Sequence, residues 1–289
     1  MNSKVLKFQS MELYQSDRVG FIDGGIRKSG KNKILEPGNP LVTIMMATFN
    51  SEDSLEESLV SLINQTYQNI ELIIVDGGST DRTLEIIKKH ENAIDYWISE
   101  PDEGIYDAWN KALSLCRGDW IGTMGSDDAC FPDSTKKLLE VSFKSPDKLD
   151  LICAKSRRVS KTGKDLGVFG CEWEWQKFKK YMGINHIFAL HSKEYFQNYG
   201  LFDSSFKITG DYEILLRAKE NLKVGYLDEI VVIEKELGVS DLSIEAVKEA
   251  FQAKVKTGNR NIVRAYLEYI VACLKFFIKK RVKNIKNKI

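Results

Sequence analysis

The chain has almost no net charge. Its 42 Lys and Arg face 41 Asp and Glu, a formal +1, so no long-range field draws it to nucleic acid. Cysteine is sparse: Cys116, Cys130, Cys153, Cys171 and Cys273 are odd in number and widely scattered. No two have metal-ligand spacing and no disulfide framework emerges, so reduced thiols in a cytoplasmic setting are the simplest account. No uncharged apolar run nears the ~18 residues that span a bilayer. The opening Met1, Asn2, Ser3 and Lys4 are polar and lead into no apolar h-region, so a secretory signal is not expected. No G-x-G-x-x-G follows an apolar run, which argues against dinucleotide chemistry. No internal repeat or low-complexity tract occurs.

What is present is an alternation. At 289 residues and 43% hydrophobic content, the chain can bury one sizeable core with a smaller appended region. Residues 1–40, with Gly24, Gly25, Gly30, Pro37, Gly38 and Pro40, read as an irregular lead-in packed over that core. From Leu41 onward, apolar runs at 41–46, 70–75, 96–98 and 120–124 read as buried strands. Helical periodicity separates them, as in Leu55, Leu59, Leu62 and Ile63. Strands and helices in alternation predict a mostly parallel α/β sheet with right-handed crossovers. A helix is expected after Pro132, a strand at 151–154, and a hairpin over 157–170 around Lys161–Lys164.

Five constellations fall at the ends of these elements. Ser126, Asp127 and Asp128 follow the run at 120–125. Paired aspartates at a strand end can form a simple turn. At the carboxyl edge of a sheet they can also hold a hard divalent cation against a phosphate. Ala47, Thr48, Phe49 and Asn50 end the first strand and offer two hydrogen-bonding side chains and a ring face, or a helix cap. In Val75-Asp76-Gly77-Gly78-Ser79-Thr80-Asp81, capping and turn geometry explain every residue except Asp76. Residues 99–111 carry four acids ahead of and inside a helix start, with Asp107 and Asn110 a turn apart. Thr209-Gly210-Asp211-Tyr212-Glu213 is either another helix cap or a carboxylate facing the paired aspartates, placed to act as a base.

In order and at these separations, ATFN, VDGGSTD, SEPDEGIYDAWNKAL, GSDD and GDYEILLR resemble the family-2 glycosyltransferases of the GT-A fold, over about residues 40–240. The resemblance implies an inverting sugar transfer from a nucleotide-diphosphate sugar, UDP-linked, to a saccharide or lipid-linked acceptor of a bacterial surface polysaccharide. It implies that Thr48, Phe49 and Asp76 hold the base and ribose, with Asn50 and Asp107 in the nucleotide site. Asp127 would contact ribose or diphosphate, Asp128 would bind Mg²⁺ or Mn²⁺, and Asp211 would deprotonate the acceptor. Glu213 is the rival base, and His186 lies in the acceptor-side segment. The segment 237–240 resembles a loop closing over the diphosphate. The chain departs from the family pattern in having serine before the aspartates rather than a D-x-D triplet, and Phe at position 49. A sugar nucleotidylyltransferase, the enzymatic alternative, needs a Gly-rich basic loop after the first strand, where this chain has Ala47-Thr48-Phe49-Asn50. A non-catalytic binding protein on a degenerate fold would not need Asp76, Asp128 and Asp211 intact.

Residues 241–289 read as a separate helical module. Tyr266, Tyr269, Ile270, Cys273, Leu274 and Phe277 form an apolar face, followed by Lys279, Lys280, Arg281, Lys283, Lys286 and Lys288, with no acid after Glu268. Such a helix can lie peripherally on the inner face of an anionic membrane, or dock on the core or a partner subunit.

Overall fold

Strand β2 (Val42–Thr48) is apolar on both faces, and the fold is organised by what covers each one. The structure, a computed structural model, describes residues 11–160, 162–235 and 243–286. On one face Val42, Ile44 and Met46 pack with Leu55, Leu59 and Leu62 of α1 (Leu55–Ile63) and with Ile87 of α2 (Thr83–Lys89). On the other, Met45 joins Ala108, Trp109 and Ala112 of α3 (Ile105–Leu113). Alternating side chains buried on both faces are the pattern of a central parallel strand. Its neighbours are β3 (Ile70–Asp76) and β5 (Trp120–Gly125), both parallel to it, and β4 (Tyr96–Ser99) lies parallel beyond β3. Register sets Thr48 opposite Asp76 and Ala47 opposite Gly125. Three strands therefore end at one edge, where α/β sheets bind ligands.

The full order is β1 (Ile22–Gly24)-β4-β3-β2-β5-β9 (Leu190–Ser192)-β7 (Leu151–Val159)-β10 (Val224–Lys235)-β6 (Ala129–Cys130), with β8 (Asp165–Phe169) paired to β7. The parallel centre matches the expectation, and the flanks add antiparallel strands. In β9 (Leu190–Ser192) three residues fill the gap between β5 and β7 (Leu151–Val159), antiparallel to both. Strand β10 (Val224–Lys235) runs parallel to β7 and pairs with β6 (Ala129–Cys130). The hairpin of β7 with β8 (Asp165–Phe169) is formed as expected; Lys161 at its turn lies outside the described residues.

The lead-in is more ordered than its composition suggests. In β1, Ile22–Gly24 pairs antiparallel with β4. Arg27 then reaches into the core, where Nη2 lies 2.5 Å from Glu71 Oε1, both side chains almost fully buried. Thr43 Oγ1 and the Arg117 N–H donate to the other Glu71 oxygen at 2.6 and 2.9 Å. A buried carboxylate is tolerable only when its oxygens are satisfied in this way.

Beyond α4 (Ser134–Lys144), α5 (Trp175–Phe178) and α6 (Lys193–Tyr199), α7 (Gly210–Ala218) opens with the Thr209-Gly210-Asp211 motif. The C-terminal helices are not detached from this body. In α8 (Ile244–Lys256), Ala253 is fully buried in the α3-side core beside Leu215 and Leu216 of α7. In α9 (Ile262–Lys286), Tyr269 packs on Phe251 of α8 with ring centroids 5.5 Å apart. The expected boundary at 240–241 and the segment 237–240 lie outside the described residues.

Candidate active site

Gly125 ends β5, and the chain turns there so that two carboxylates fold back over it. A Cβ on Gly125 would lie 2.5 Å from Asp128 Oδ2 and 2.8 Å from Asp127 Oδ1, so only glycine leaves both oxygens room. Asp128 is 4% exposed. Ser58 Oγ donates to its carbonyl (2.5 Å) and the Lys235 N–H to its Oδ1 (3.3 Å). Burial, then the neighbouring charges of Asp127 and Glu234, push its carboxyl up to about 8. Among the described residues no group of three or more His, Cys, Asp and Glu is placed to hold a metal. Two carboxylates with remaining positions left to phosphate and water are the donor set that Mg²⁺ and Mn²⁺ accept, so these residues fit such an ion.

The nucleotide-side candidates divide in two. Phe49 is 61% exposed and its ring stands beside Gly77. A Cβ on Gly77 would lie 2.6 Å from Asp102 Oδ2 and 3.4 Å from Phe49 Cδ2, so Asp102 and Phe49 border one backbone cleft. The buried Thr48 Oγ1 has no hydrogen-bond partner among the described residues. The carboxylate of Asp76, fully buried, accepts from Ser99 Oγ (2.6 Å) and from both the N–H and Oγ of Ser79 (3.1 and 2.5 Å). It fixes the Gly77-Gly78 turn, and Gly78 takes a positive φ of 81°.

Asn50 and Asp107 both hold loop backbone. Asn50 Oδ1 accepts the Thr80 N–H (2.9 Å) and the Asn50 N–H donates to Ser79 Oγ (2.8 Å), tying the first two loops together. Asp107 accepts the Glu103 N–H at 3.1 Å and lies 3.3 Å from Lys111 Nζ.

Asp211 begins α7 and forms part of a cavity of about 400 Å³ with His186, Asn185, Tyr181, Arg158 and Glu234. Burial raises its carboxyl above the ordinary range, and the nearby His186 opposes this. The Tyr106 hydroxyl donates to the Ile208 carbonyl (2.8 Å), accepts the Asp211 N–H (3.3 Å) and lies 3.3 Å from Asp211 Oδ1. Burial and then the Asp211 charge push the Tyr106 phenol up, which keeps it a proton donor. His186 is buried, its Nε2 3.0 Å from His191 Nε2, and burial lowers the pKa of both rings. Glu234 lines the cavity while Lys235, next in the chain, contacts Asp128. The cavity and the aspartate pair therefore meet at the end of β10. Glu213 does not line the cavity; Arg217 Nη2 lies 2.5 Å from its Oε2 and Thr257 Oγ1 donates to its Oε1 at 2.7 Å. It ties α7 to the end of α8, which leaves Asp211 as the α7 carboxylate at the cavity.

Glu249 in α8 is a residue the sequence does not announce. Its oxygens accept the N–H groups of Lys207, Ile208 and Thr209 at 2.8, 2.8 and 2.9 Å, clamping the loop that leads into Asp211. In a helix of mixed charge, an acid reads as part of a solvated face. Glu249→Ala would leave three part-buried donors without their acceptor and let Asp211 shift. The sugar transfer that the resemblance implies should fall about tenfold or more while nucleotide affinity stays within about twofold; equal loss of both in kinetics and calorimetry would refute a positioning role.

With this geometry in hand, the comparisons are informative. The model of the family described as Glycosyl transferase family 2 matches residues 43–191, more than half of the chain. Among curated proteins, a chondroitin synthase of Escherichia coli is 30% identical over 185 residues, 63% of this chain and 27% of that protein. A PGL/p-HBAD biosynthesis glycosyltransferase of Mycobacterium tuberculosis is 26% identical over 230 residues, 78% of this chain and 88% of that protein. The chain thus spans only about a quarter of the chondroitin synthase. Among solved structures, S. aureus TarS 1-349 in complex with UDP-GlcNAc superposes with a TM-score of 0.60 at 18% identity, covering 79% of this chain and 70% of that one. The mannosyltransferase PcManGT from Pyrobaculum calidifontis, in complex with GDP-Man and Mn2+, gives 0.59 at 17% identity, covering 84% and 74%. At such identities the likeness speaks for the fold.

Proposed function

This chain belongs to glycosyl transferase family 2, and we propose that it moves a sugar from a nucleoside diphosphate, UDP, to a hydroxyl of a saccharide acceptor with inversion at the anomeric carbon. One observation carries the reading: Asp127 and Asp128 converge over Gly125, and Glu234, whose neighbour Lys235 donates its N–H to Asp128, lines the cavity that holds the half-buried Asp211. Phe49 and Asp102 border the cleft for base and ribose, over the Gly77 turn that Asp76 holds. Thr48 brings a buried hydroxyl to the same edge. Asp127 and Asp128 would hold Mg²⁺ or Mn²⁺, which when bound neutralises the charge growing on the departing diphosphate.

Asp211 takes the proton of the acceptor hydroxyl as that oxygen attacks the anomeric carbon from the side opposite the diphosphate. Tyr106 holds the Asp211 backbone and its hydroxyl lies 3.3 Å from the carboxylate, while burial raises the Asp211 carboxyl and His186 opposes the rise. No covalent intermediate is required, so one base suffices. A saccharide acceptor is supported by the polymer synthases among the relatives, and a bacterial surface polysaccharide is the setting we assign. UDP is supported by the TarS complex, whereas the GDP-Man complex of PcManGT shows that this fold also serves another base.

Calorimetric titration with UDP and Mn²⁺, followed by EDTA, tests the donor. Heat that appears with metal and vanishes on chelation is expected. Binding of GDP but not UDP would change the donor, and binding of neither would sink the reading.

A further inference from the structure

Helix α9 has two apolar sides, and only one is covered. Ala265 is fully buried, and Tyr269 and Ala272 help line the cavity that holds Asp211. At ~100° per residue, the opposite side carries Val263, Leu267, Val271, Leu274, Phe277 and Ile278, each 50–63% exposed. A soluble monomer rarely leaves so continuous an apolar stripe in water. Among the described residues no helix is long and apolar enough to cross a membrane, so an insertion across a bilayer is not what the stripe serves.

Charge identifies what covers it. Arg264, Lys275, Lys280 and Arg281 are exposed on the same helix. Its single acid, Glu268, is engaged within the chain by Lys254 (3.2 Å) and by Arg260. A second copy seated on this face would set cations against cations, with that acid already engaged. A surface of anionic lipid supplies the missing counter-charge and accepts the apolar stripe at the depth of the headgroups.

We infer that α9 lies in the plane of an anionic membrane, its outer side in the lipid interface and its inner side serving as a wall of the acceptor cavity. A lipid-linked acceptor would then meet the enzyme where it is anchored. Seating on lipid does not depend on the transfer reaction, so the two readings fail separately.

The test uses the full chain with vesicles of phosphatidylcholine alone or mixed with phosphatidylglycerol. Co-sedimentation with the mixed vesicles, at least tenfold weaker with phosphatidylcholine and weakened by salt, is expected. Leu267→Asp with Leu274→Asp should lower the bound fraction about tenfold, and so should Lys280→Glu with Arg281→Glu, whose exposed positions put folding at no risk. Melting temperatures alongside show whether each variant is folded. Equal binding to both vesicle types, or none to either, overturns the inference. So does a dimer by light scattering that Leu267→Asp dissociates, which would assign the face to a second copy.

Discussion

Replacing Asp211 with Asn is expected to lower the transfer rate by about 10²–10⁴-fold, the range for loss of a positioned general base, while UDP still binds with its metal. The amide keeps the shape and can keep the Tyr212 N–H contact at 2.8 Å, but it cannot take a proton. The wild-type pH profile gives an independent check. Asp211 works only when ionised, and burial raises its pKa. Activity should therefore fall as pH drops through a value above the ordinary carboxylate range, and the Asn variant should lack that limb. Glu213→Gln should behave differently. It weakens the pairing with Arg217 and the tie to Thr257, so melting temperature falls while the pH limb remains. A Glu213 variant that loses the limb, with Asp211→Asn active, would reverse the assignment.

The second large effect concerns Asp128. Asp128→Asn should abolish the metal-dependent part of UDP binding, because one of two converging oxygens can no longer carry charge to the cation. The same change should raise the melting temperature of the metal-free protein. Burial beside Asp127 and Glu234 pushes this carboxyl up to about 8, so folding near neutral pH has to take up a proton there; the amide needs none and keeps an acceptor for the Lys235 N–H. Gly125→Ala should mimic the binding loss with both acids present, since the added methyl occupies the space where their oxygens converge. Wild-type metal response in both variants, read by calorimetry with Mn²⁺ titrations, would remove the aspartate pair from the site.

The four central strands are legible because burial on both faces makes each a near-continuous apolar run, and the loops after them carry the acids and glycines that the sheet edge collects. Other parts were not readable for physical reasons. Three residues of β9 are too few for any periodicity, and β1 hides in a lead-in rich in glycine. Side-chain direction is a property of tertiary packing, so Asn50 and Asp107, chemically suited to a ligand, turn instead to Thr80 and to Glu103 and Lys111. Asp102 is one of the four acids within residues 99–111, yet its closeness to Gly77 depends on how two loops fold over each other. Glu249 is the extreme case, since its partners lie about forty residues earlier and nothing local marks them.

The Glu249 clamp also bears on how such enzymes can be recombined. The family match ends at residue 191, which invites treating the donor half as a cassette that accepts any acceptor half. Here the proposed base, Asp211, is supplied by α7 but its loop is held in place by α8, and α9 closes the same cavity. A chimaera joined between α7 and α8 would inherit the carboxylate without the acceptor that fixes its loop. Crossover points before residue 207 keep clamp, base and cavity wall as one inherited unit, and those are the junctions at which exchange of acceptor specificity should preserve turnover.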